Sequence, residues 1–102
     1  MQMSETFEVT HNKEQLQFEV ALNGEKAILS YRLYKKDIAM MHTTVPKEME
    51  GKGIASALAR YAFQYAADQH KLVMVYCPFV SGFIKKHPEY RQQLDPEYHR
   101  NK

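Results

Sequence analysis

Apolar and polar residues alternate with a period of two through most of the first half of the chain, and this pattern predicts β-strands. Leu16, Phe18 and Val20 alternate with Gln and Glu, so this strand is expected to have one apolar face and one face in water. Asn23 and Gly24 then predict a two-residue hairpin turn, because both residues tolerate positive φ. The first half is therefore expected to form an antiparallel meander.

Two further strands are predicted to complete the meander. One runs from about Lys26 to Tyr34 and has four apolar residues on one face: Ala27, Leu29, Tyr31 and Leu33. The other runs from Ile38 to Val45 and ends at Pro46, which has no backbone N–H to donate to a sheet.

After residue 45 the apolar period changes to that of an α-helix. A helix is predicted from about Gly53 to His70, with an apolar face formed by Ile54, Leu58, Tyr61, Ala62 and Tyr65. The apolar run from Leu72 to Cys77 predicts a strand that is buried on both faces. Strand, helix and strand in this order predict a right-handed crossover, so the strands on either side of the helix are expected to be parallel.

The last quarter of the chain is predicted to contain a second, shorter helix. Pro78 suits its first turn, where a helix leaves the N–H unpaired, and Pro88 ends it. Its apolar side consists of Phe79, Val80, Phe83 and Ile84. The polar segment 95–102 is expected to be a tail.

Composition and charge mainly exclude other classes of protein. A chain of 102 residues fits a single domain, residues 1–102, with an ordered core of about residues 6–94. Its net charge of +2 is too small to indicate nucleic-acid binding, and no apolar stretch is long enough to cross a membrane. A single cysteine, Cys77, and a start without the features of a signal peptide predict a cytoplasmic protein.

The segment from Val45 to Ala55 carries the most information about function. Gly51 and Gly53 allow a tight turn between a strand and a helix, with backbone N–H groups pointing inward beside the free N–H groups of the helix start. A loop of this kind can hold a pyrophosphate, and an ordinary glycine-containing connection explains the spacing equally well. It is neither a Walker loop nor the three-glycine dinucleotide motif.

Residues 50–55 resemble the acyl-CoA pyrophosphate loop of the GNAT superfamily of acetyltransferases. Gly53 and Ala55 match its pattern, and Glu50 departs from it. Three further segments, residues 42–46, 77–80 and 87–90, resemble those of a subfamily of very small, single-domain GNAT-like proteins. The resemblance extends from about Phe7 to Leu94.

The resemblance implies an α/β (α+β) minimal GNAT-like fold, a twisted and mostly antiparallel sheet with one parallel strand pair and two helices. It also implies that acetyl-CoA binds between the parallel strands and that its acetyl group moves to an amine of unknown identity. The residues expected to bind the cofactor are Val45, Gly51, Lys52, Gly53, Ile54, Ala55 and Ser56. The chain lacks the helices that complete the acceptor site in longer members, so that site is expected to be open or completed by a second subunit in a homodimer.

Cys77 and His42 are the candidate catalytic residues. Cys77 comes just before Pro78, and a helix that starts there favours the thiolate. His42 lies late on the neighbouring parallel strand and is expected to face Cys77 as its general base. The alternatives are an inert buried thiol with a hydrogen-bonded strand histidine, or direct transfer from CoA to the amine.

The other polar candidates are less specific. His87 can contact the cofactor or cap the end of the second helix, while Lys52, Lys85 and Lys86 can neutralise phosphates or lie in solvent. No metal site is expected, because the spacing does not suit one at the remaining histidines, His11, His70 and His99. The alternative to an acetyltransferase is a non-catalytic acyl-CoA-binding or protein-interaction module.

Overall fold

The computed structural model describes residues 7–99. Within this part of the chain a five-stranded sheet is formed by β1 (Thr10–Asn12), β2 (Gln17–Leu22), β3 (Glu25–Leu33), β4 (Asp37–Thr44) and β5 (Leu72–Val75). The helices are α1 (Ile54–Asp68), α2 (Pro78–Lys86) and α3 (Pro96–His99), and short 3-10 helices cover Lys47–Met49 and Pro88–Gln93.

The strands lie in the sheet in chain order, from β1 to β5. Neighbouring strands from β1 to β4 are antiparallel, and β4 pairs with β5 in parallel, from Asp37 opposite Leu72 to Met40 opposite Val75. The predicted sheet with one parallel strand pair is confirmed. The described residues contain three helices instead of the expected two, because α3 forms where a tail was expected.

Helix α1 lies across one face of the sheet and contacts β2 and β3. On this helix Ile54, Leu58 and Ala62 are buried and Gln64 is exposed, as predicted, but Tyr61, which was also predicted to be on the apolar face, is 39% exposed. Ala59, Ala62 and Ala66 are also fully buried. These small side chains allow the helix to lie close to the strands.

Strand β4 contains one residue more than the part of β3 opposite it. Tyr31 pairs with Met40 and Ser30 pairs with His42, which makes Met41 the extra residue of a β-bulge. Beyond the bulge the alternation of side chains is shifted by one residue. Met40 and Thr43 therefore share one face of the sheet, and His42 lies on the other.

Glu19 lies on the strand face that was expected to be in water, but it is buried. Its carboxylate accepts hydrogen bonds from Gln17 Nε2 at 2.6 Å and from Asn12 Nδ2 at 3.0 Å, and Lys26 Nζ lies 3.5 Å away. The hydrogen bonds from Gln17 and Asn12 are the largest causes that lower the pKa of Glu19. A charged residue is tolerated here because its oxygens are paired.

Two leucines of the predicted apolar faces are exposed. Leu16 has a φ of 57° and lies in the turn before β2, so it is not part of the strand. Leu33 is the last residue of β3 and is 45% exposed. Leu16 departs from the alternation because β2 begins only after it, and Leu33 departs from it because β3 ends there.

The carboxyl-terminal segment packs against the outer strand of the sheet. The strand that was predicted to be buried on both faces is instead the last strand of the sheet, where Val73 is the one residue of β5 that is fully buried, and Leu94 pairs with Val73 in an isolated parallel bridge. The Asp95 N–H donates to the Val73 carbonyl at 2.9 Å, and Asp95 itself is buried. Asp95 is therefore part of the fold and is followed by the short helix α3, contrary to the expected tail, and residues 100–102 lie outside the described residues.

Candidate functional site

The connection from β4 to α1 is a loop that leaves helix N–H groups free. Gly51 and Gly53 have φ values of 80° and 82°, in the left-handed region that glycine adopts readily. Gly53 is the N-cap of α1, with no side-chain hydrogen bond to the helix start and no acidic residue in the first turn. The N–H groups of Ile54, Ala55 and Ser56 are therefore available to an anion, beside the positive end of the helix dipole.

A cleft of about 330 Å³ opens at this helix start. Its lining includes six of the seven residues predicted to bind the cofactor: Val45, Gly51, Gly53, Ile54, Ala55 and Ser56. Lys52 is exposed and does not line it. The predicted loop thus forms one wall of a concave site, with its backbone facing the cleft.

Three further residues line the cleft: Met49, Glu50 and Phe79. Phe79 is predicted from the apolar pattern to be on the buried side of α2, but the residue is 38% exposed and lines the cleft. Glu50 is the residue that departs from the GNAT loop pattern, and it is exposed. Its carboxylate can therefore remain in water while an anion occupies the helix start.

The parallel strands separate beside this cleft. The N–H groups of Tyr76 and Cys77 both donate to the Met40 carbonyl, at 3.0 and 3.1 Å, and pairing between the strands ends there. Strand β4 continues to Thr44, while the other chain segment turns into α2 at Pro78. Residues 41–44 therefore have β3 on one side and no β5 on the other.

Cys77 lies at the point where the strands separate. It is the N-cap of α2, as the sequence predicts, and it is 2% exposed. Its Sγ lies 3.0 Å from Thr43 Oγ1, within hydrogen-bond distance. Thr43 is thus the polar side chain that the fold places against the thiol.

His42 is not brought to Cys77. Consecutive strand residues point to opposite faces, and since the Thr43 side chain contacts Cys77, that of His42 points away from it. His42 is exposed, and its carbonyl accepts a hydrogen bond from Ser30 Oγ at 3.4 Å. The bulge at Met41 causes the His42 side chain to point away from Cys77. Without the extra residue, His42 would be two positions after Met40 in a regular alternation and would lie on the same face as Cys77.

His11 lies in an aromatic cluster and does not line the cleft at the start of α1. His11 contacts the ring of Phe18 at 4.6 Å and is hydrogen-bonded to the hydroxyl of Tyr31. Burial lowers the pKa of His11, helped by Lys13, and burial raises the pKa of Tyr31, helped by Tyr65.

Within residues 7–99 there is no group of three or more His, Cys, Asp or Glu side chains that could hold a metal ion. The helices of this part of the chain are all too short or too polar to span a membrane.

The strand order, the separated parallel pair and the loop at the helix start define a GNAT-like fold. A GCN5-like protein of Staphylococcus aureus, solved by NMR in solution, matches it with a TM-score of 0.67, 21% sequence identity and coverage of 91% of this chain and 95% of that one. The family model for the GCN5-related N-acetyl-transferase matches residues 17–94. The chain belongs to the GCN5-related N-acetyltransferase family.

Curated relatives are similar along most of their length. Protein NATD1 of Xenopus tropicalis is 32% identical over 101 residues, which cover 94% of this chain and 93% of the relative. Protein NATD1 of Bos taurus is 34% identical over 93 residues, covering 86% and 82%. Protein NATD1 of Homo sapiens is 32% identical over 93 residues, with the same coverage. The name of these relatives states no reaction.

Proposed function

We propose that this protein binds acetyl-CoA at the start of α1 and transfers the acetyl group to an amine. The observation that carries the proposal is the cleft at the uncapped helix start, lined by six of the seven residues expected to bind the cofactor. Backbone N–H groups and a helix dipole suit a pyrophosphate. Membership of the GCN5-related N-acetyltransferase family supports the reaction class.

The direction of the acyl arm follows from β4. Val45 lines the cleft, and Thr43, two residues earlier on the same face, contacts Cys77. An acyl arm of CoA that leaves the cleft at Val45 can follow residues 41–44, where β5 no longer lies beside β4. It then reaches Thr43 and Cys77 after about two strand residues, or roughly 7 Å. The thioester is expected at the place where the parallel strands separate.

Transfer through Cys77 is the route that we propose. The Cys77 sulfur attacks the acetyl carbon, the bond from that carbon to the CoA sulfur breaks, and the proton of the Cys77 thiol passes to the departing sulfur. The amine nitrogen then attacks the acetyl carbon, and the released Cys77 sulfur regains a proton from the amine. The low exposure of Cys77 excludes water that would hydrolyse the acetylated thiol. Thr43, and not His42, is the partner of the thiol in this route.

Calorimetry with acetyl-CoA tests the site, using glycine variants with matched backbone strain. Gly53→Val and Gly24→Val both place a β-branched residue at a φ near +80°, and a Cβ at either position meets no atom within 4 Å. We expect Gly53→Val to weaken binding at least tenfold, or about 1.4 kcal/mol, and Gly24→Val, in a hairpin turn, to bind as the parent does. Equal affinity in the two variants would exclude this loop as the site.

Intact-mass analysis after incubation with acetyl-CoA tests the route. One acetyl group is expected on the parent and none on Cys77→Ala, which should still bind acetyl-CoA. A Cys77→Ala protein that acetylates a mixture of primary amines at the parental rate would show direct transfer. Binding without transfer to any amine in that mixture would instead support the alternative, a non-catalytic acyl-CoA-binding module.

The acceptor side of the site is proposed to be open or completed by a second copy of the chain. The part of β4 beyond Met40 has no β5 beside it, so an amine-bearing molecule can approach from that side. Light scattering with and without acetyl-CoA distinguishes a monomer from a homodimer. The lone cysteine supports a reducing, cytoplasmic setting.

A further inference from the structure

The end of the sheet that lies away from the cleft carries exposed apolar side chains. Three segments form this end, here called the loop end: residues 13–16 before β2, residues 33–36 between β3 and β4, and residues 69–71 before β5. Three of its residues are 36%, 45% and 45% exposed: Leu16, Leu33 and Tyr34. We propose that the loop end docks on the surface of an anionic lipid bilayer.

Strand pairing brings the three segments of the loop end to the same side of the molecule. Strand β2 begins at Gln17, which pairs with Ser30 near the end of β3. Strands β4 and β5 begin side by side, with Asp37 opposite Leu72. The cleft lies beyond the other end of β4, at Val45. A protein docked through the loop end therefore keeps its cleft open to water.

Hydrogen bonds hold the segments of the loop end in fixed positions. The Tyr31 N–H donates to the Leu16 carbonyl at 3.0 Å, which ties the first segment to β3. Lys71 Nζ donates to the carbonyls of Tyr34 and Lys35, at 2.7 and 3.1 Å, which ties the third segment to the second. The exposed side chains are thus presented by an ordered backbone, so docking costs little backbone entropy.

Leu16 is the residue of the loop end that the fold explains least. Its φ of 57° lies in the left-handed region, which bulky side chains rarely adopt and which glycine and asparagine adopt more readily. Its side chain is exposed, so core packing does not account for a leucine at this position either. Contact with the apolar part of a membrane interface does account for it, and strained positions of this kind are common at binding sites.

The charge of the loop end suits an anionic surface. Its three segments contain one acidic residue, Glu14, and four basic residues: Lys13, Lys35, Lys36 and Lys71. The adjoining acidic residues are Asp68, at the end of α1, and Asp37, which is buried. Positive charges therefore exceed negative ones around the exposed apolar side chains, and each lysine close to an anionic leaflet strengthens binding roughly fivefold.

Lysines combined with exposed leucines favour a bilayer over a nucleic acid. Single-stranded nucleic acids are bound by aromatic rings and guanidinium groups that stack on the bases, and the side chains of Leu16 and Leu33 cannot stack. A fluid bilayer accepts apolar side chains without a matching shape, while lysines beside them contact the headgroups. The loop end therefore has the chemistry of a surface that lies on a membrane.

Sedimentation of the full chain with lipid vesicles tests the role of charge. We expect vesicles of phosphatidylserine and phosphatidylcholine to bind the protein about tenfold more tightly than phosphatidylcholine vesicles, and less tightly at high salt. Lys35→Gln combined with Lys36→Gln should weaken binding to the mixed vesicles about twentyfold. Lys47→Gln combined with Lys52→Gln removes the same charge at the cleft end of β4 and should retain parental binding. Equal losses in the two double variants, or equal binding to both kinds of vesicle, would overturn the proposal.

A leucine variant separates apolar contact from unfolding. Asparagine adopts a positive φ more readily than leucine, so Leu16→Asn should melt at or above the parental temperature, yet bind the mixed vesicles about fivefold less tightly. Phe79→Asn, at a similarly exposed residue that lines the cleft, should leave vesicle binding unchanged. Parental vesicle binding by a folded Leu16→Asn protein would overturn the proposal, as would binding to a single-stranded oligouridylate with none to either vesicle.

Discussion

The two halves of β4 have the same neighbour on one side and different surroundings on the other. Residues 37–40 lie between β3 and β5, and all four are buried. Residues 41–44 pair with β3 alone and alternate between half-buried and exposed. The closed half is part of the core, and the open half leads to the cleft at Val45.

This difference indicates how a small domain makes room for a ligand at the edge of a strand. The site lies where one strand pairing stops, and a strand edge without a partner offers N–H and C=O groups to whatever lies beside it. The bulge at Met41 then decides which side chains face that edge. Substitutions in the two halves are therefore expected to have different consequences.

The largest expected effect is a loss of stability in the closed half. Met40 is fully buried, so Met40→Ala should lower the free energy of unfolding by about 2–5 kcal/mol. Replacing Met41, the half-buried residue of the bulge, by alanine should lower the free energy of unfolding by less than about 1 kcal/mol. Denaturant unfolding of both variants measures this. Equal losses would contradict the division of β4 into two halves.

An intermediate effect is expected at Thr43, in the open half. Thr43→Val removes the hydroxyl beside the Cys77 sulfur and should cost about 1 kcal/mol of stability. It should also change the rate at which a small alkylating reagent modifies Cys77. Thr44→Val, at the next and exposed position, is the control and should change neither quantity. If the two valine variants alkylate at the same rate, the contact does not influence the thiol.

A pH-dependent effect is expected at the start of the closed half. Burial, followed by Asp95, raises the pKa of Asp37 from 3.8 to about 6. The folded protein therefore holds this proton to a higher pH than the unfolded chain, so the stabilising contribution is present below pH 3.8 and is lost as the pH rises to about 6.

The amide of Asp37→Asn should remove this pH dependence, because it has no proton to lose. Unfolding free energies measured from pH 4 to pH 8 should then fall less steeply with pH than those of the parent. Asp68→Asn, at an exposed helix end, should retain the parental slope. A parental slope in Asp37→Asn would show that this carboxyl is not the titrating group.

The smallest effect is expected at His42. Its side chain lies on the face opposite Cys77, so His42→Ala should change the stability by less than about 0.5 kcal/mol and leave the acetylation rate of Cys77 as it is. Denaturant unfolding and a time course of intact mass provide the two measurements. A slower acetylation would show that His42 acts on the thiol after all.

Much of the fold and the loop could be predicted from local sequence. The helical period placed Leu58 inside and Gln64 outside, and the paired glycines at 51 and 53 marked the turn that the structure shows. Six of the seven predicted cofactor residues lie together because they are close in sequence and meet one helix start. Periodicity and glycine conformations are properties of neighbouring residues, which is why they are visible in one dimension.

Only the tertiary structure decided which residues from distant segments meet. The sequence paired Cys77 with His42, whereas one extra residue at Met41 turned His42 away and placed Thr43 against the thiol. The sequence likewise indicated a polar tail, whereas Asp95 is buried because its N–H pairs with Val73 at the edge of the sheet. Strand register and edge pairing depend on atoms far apart in the chain, and a one-residue shift reverses every side chain beyond it without changing the local pattern.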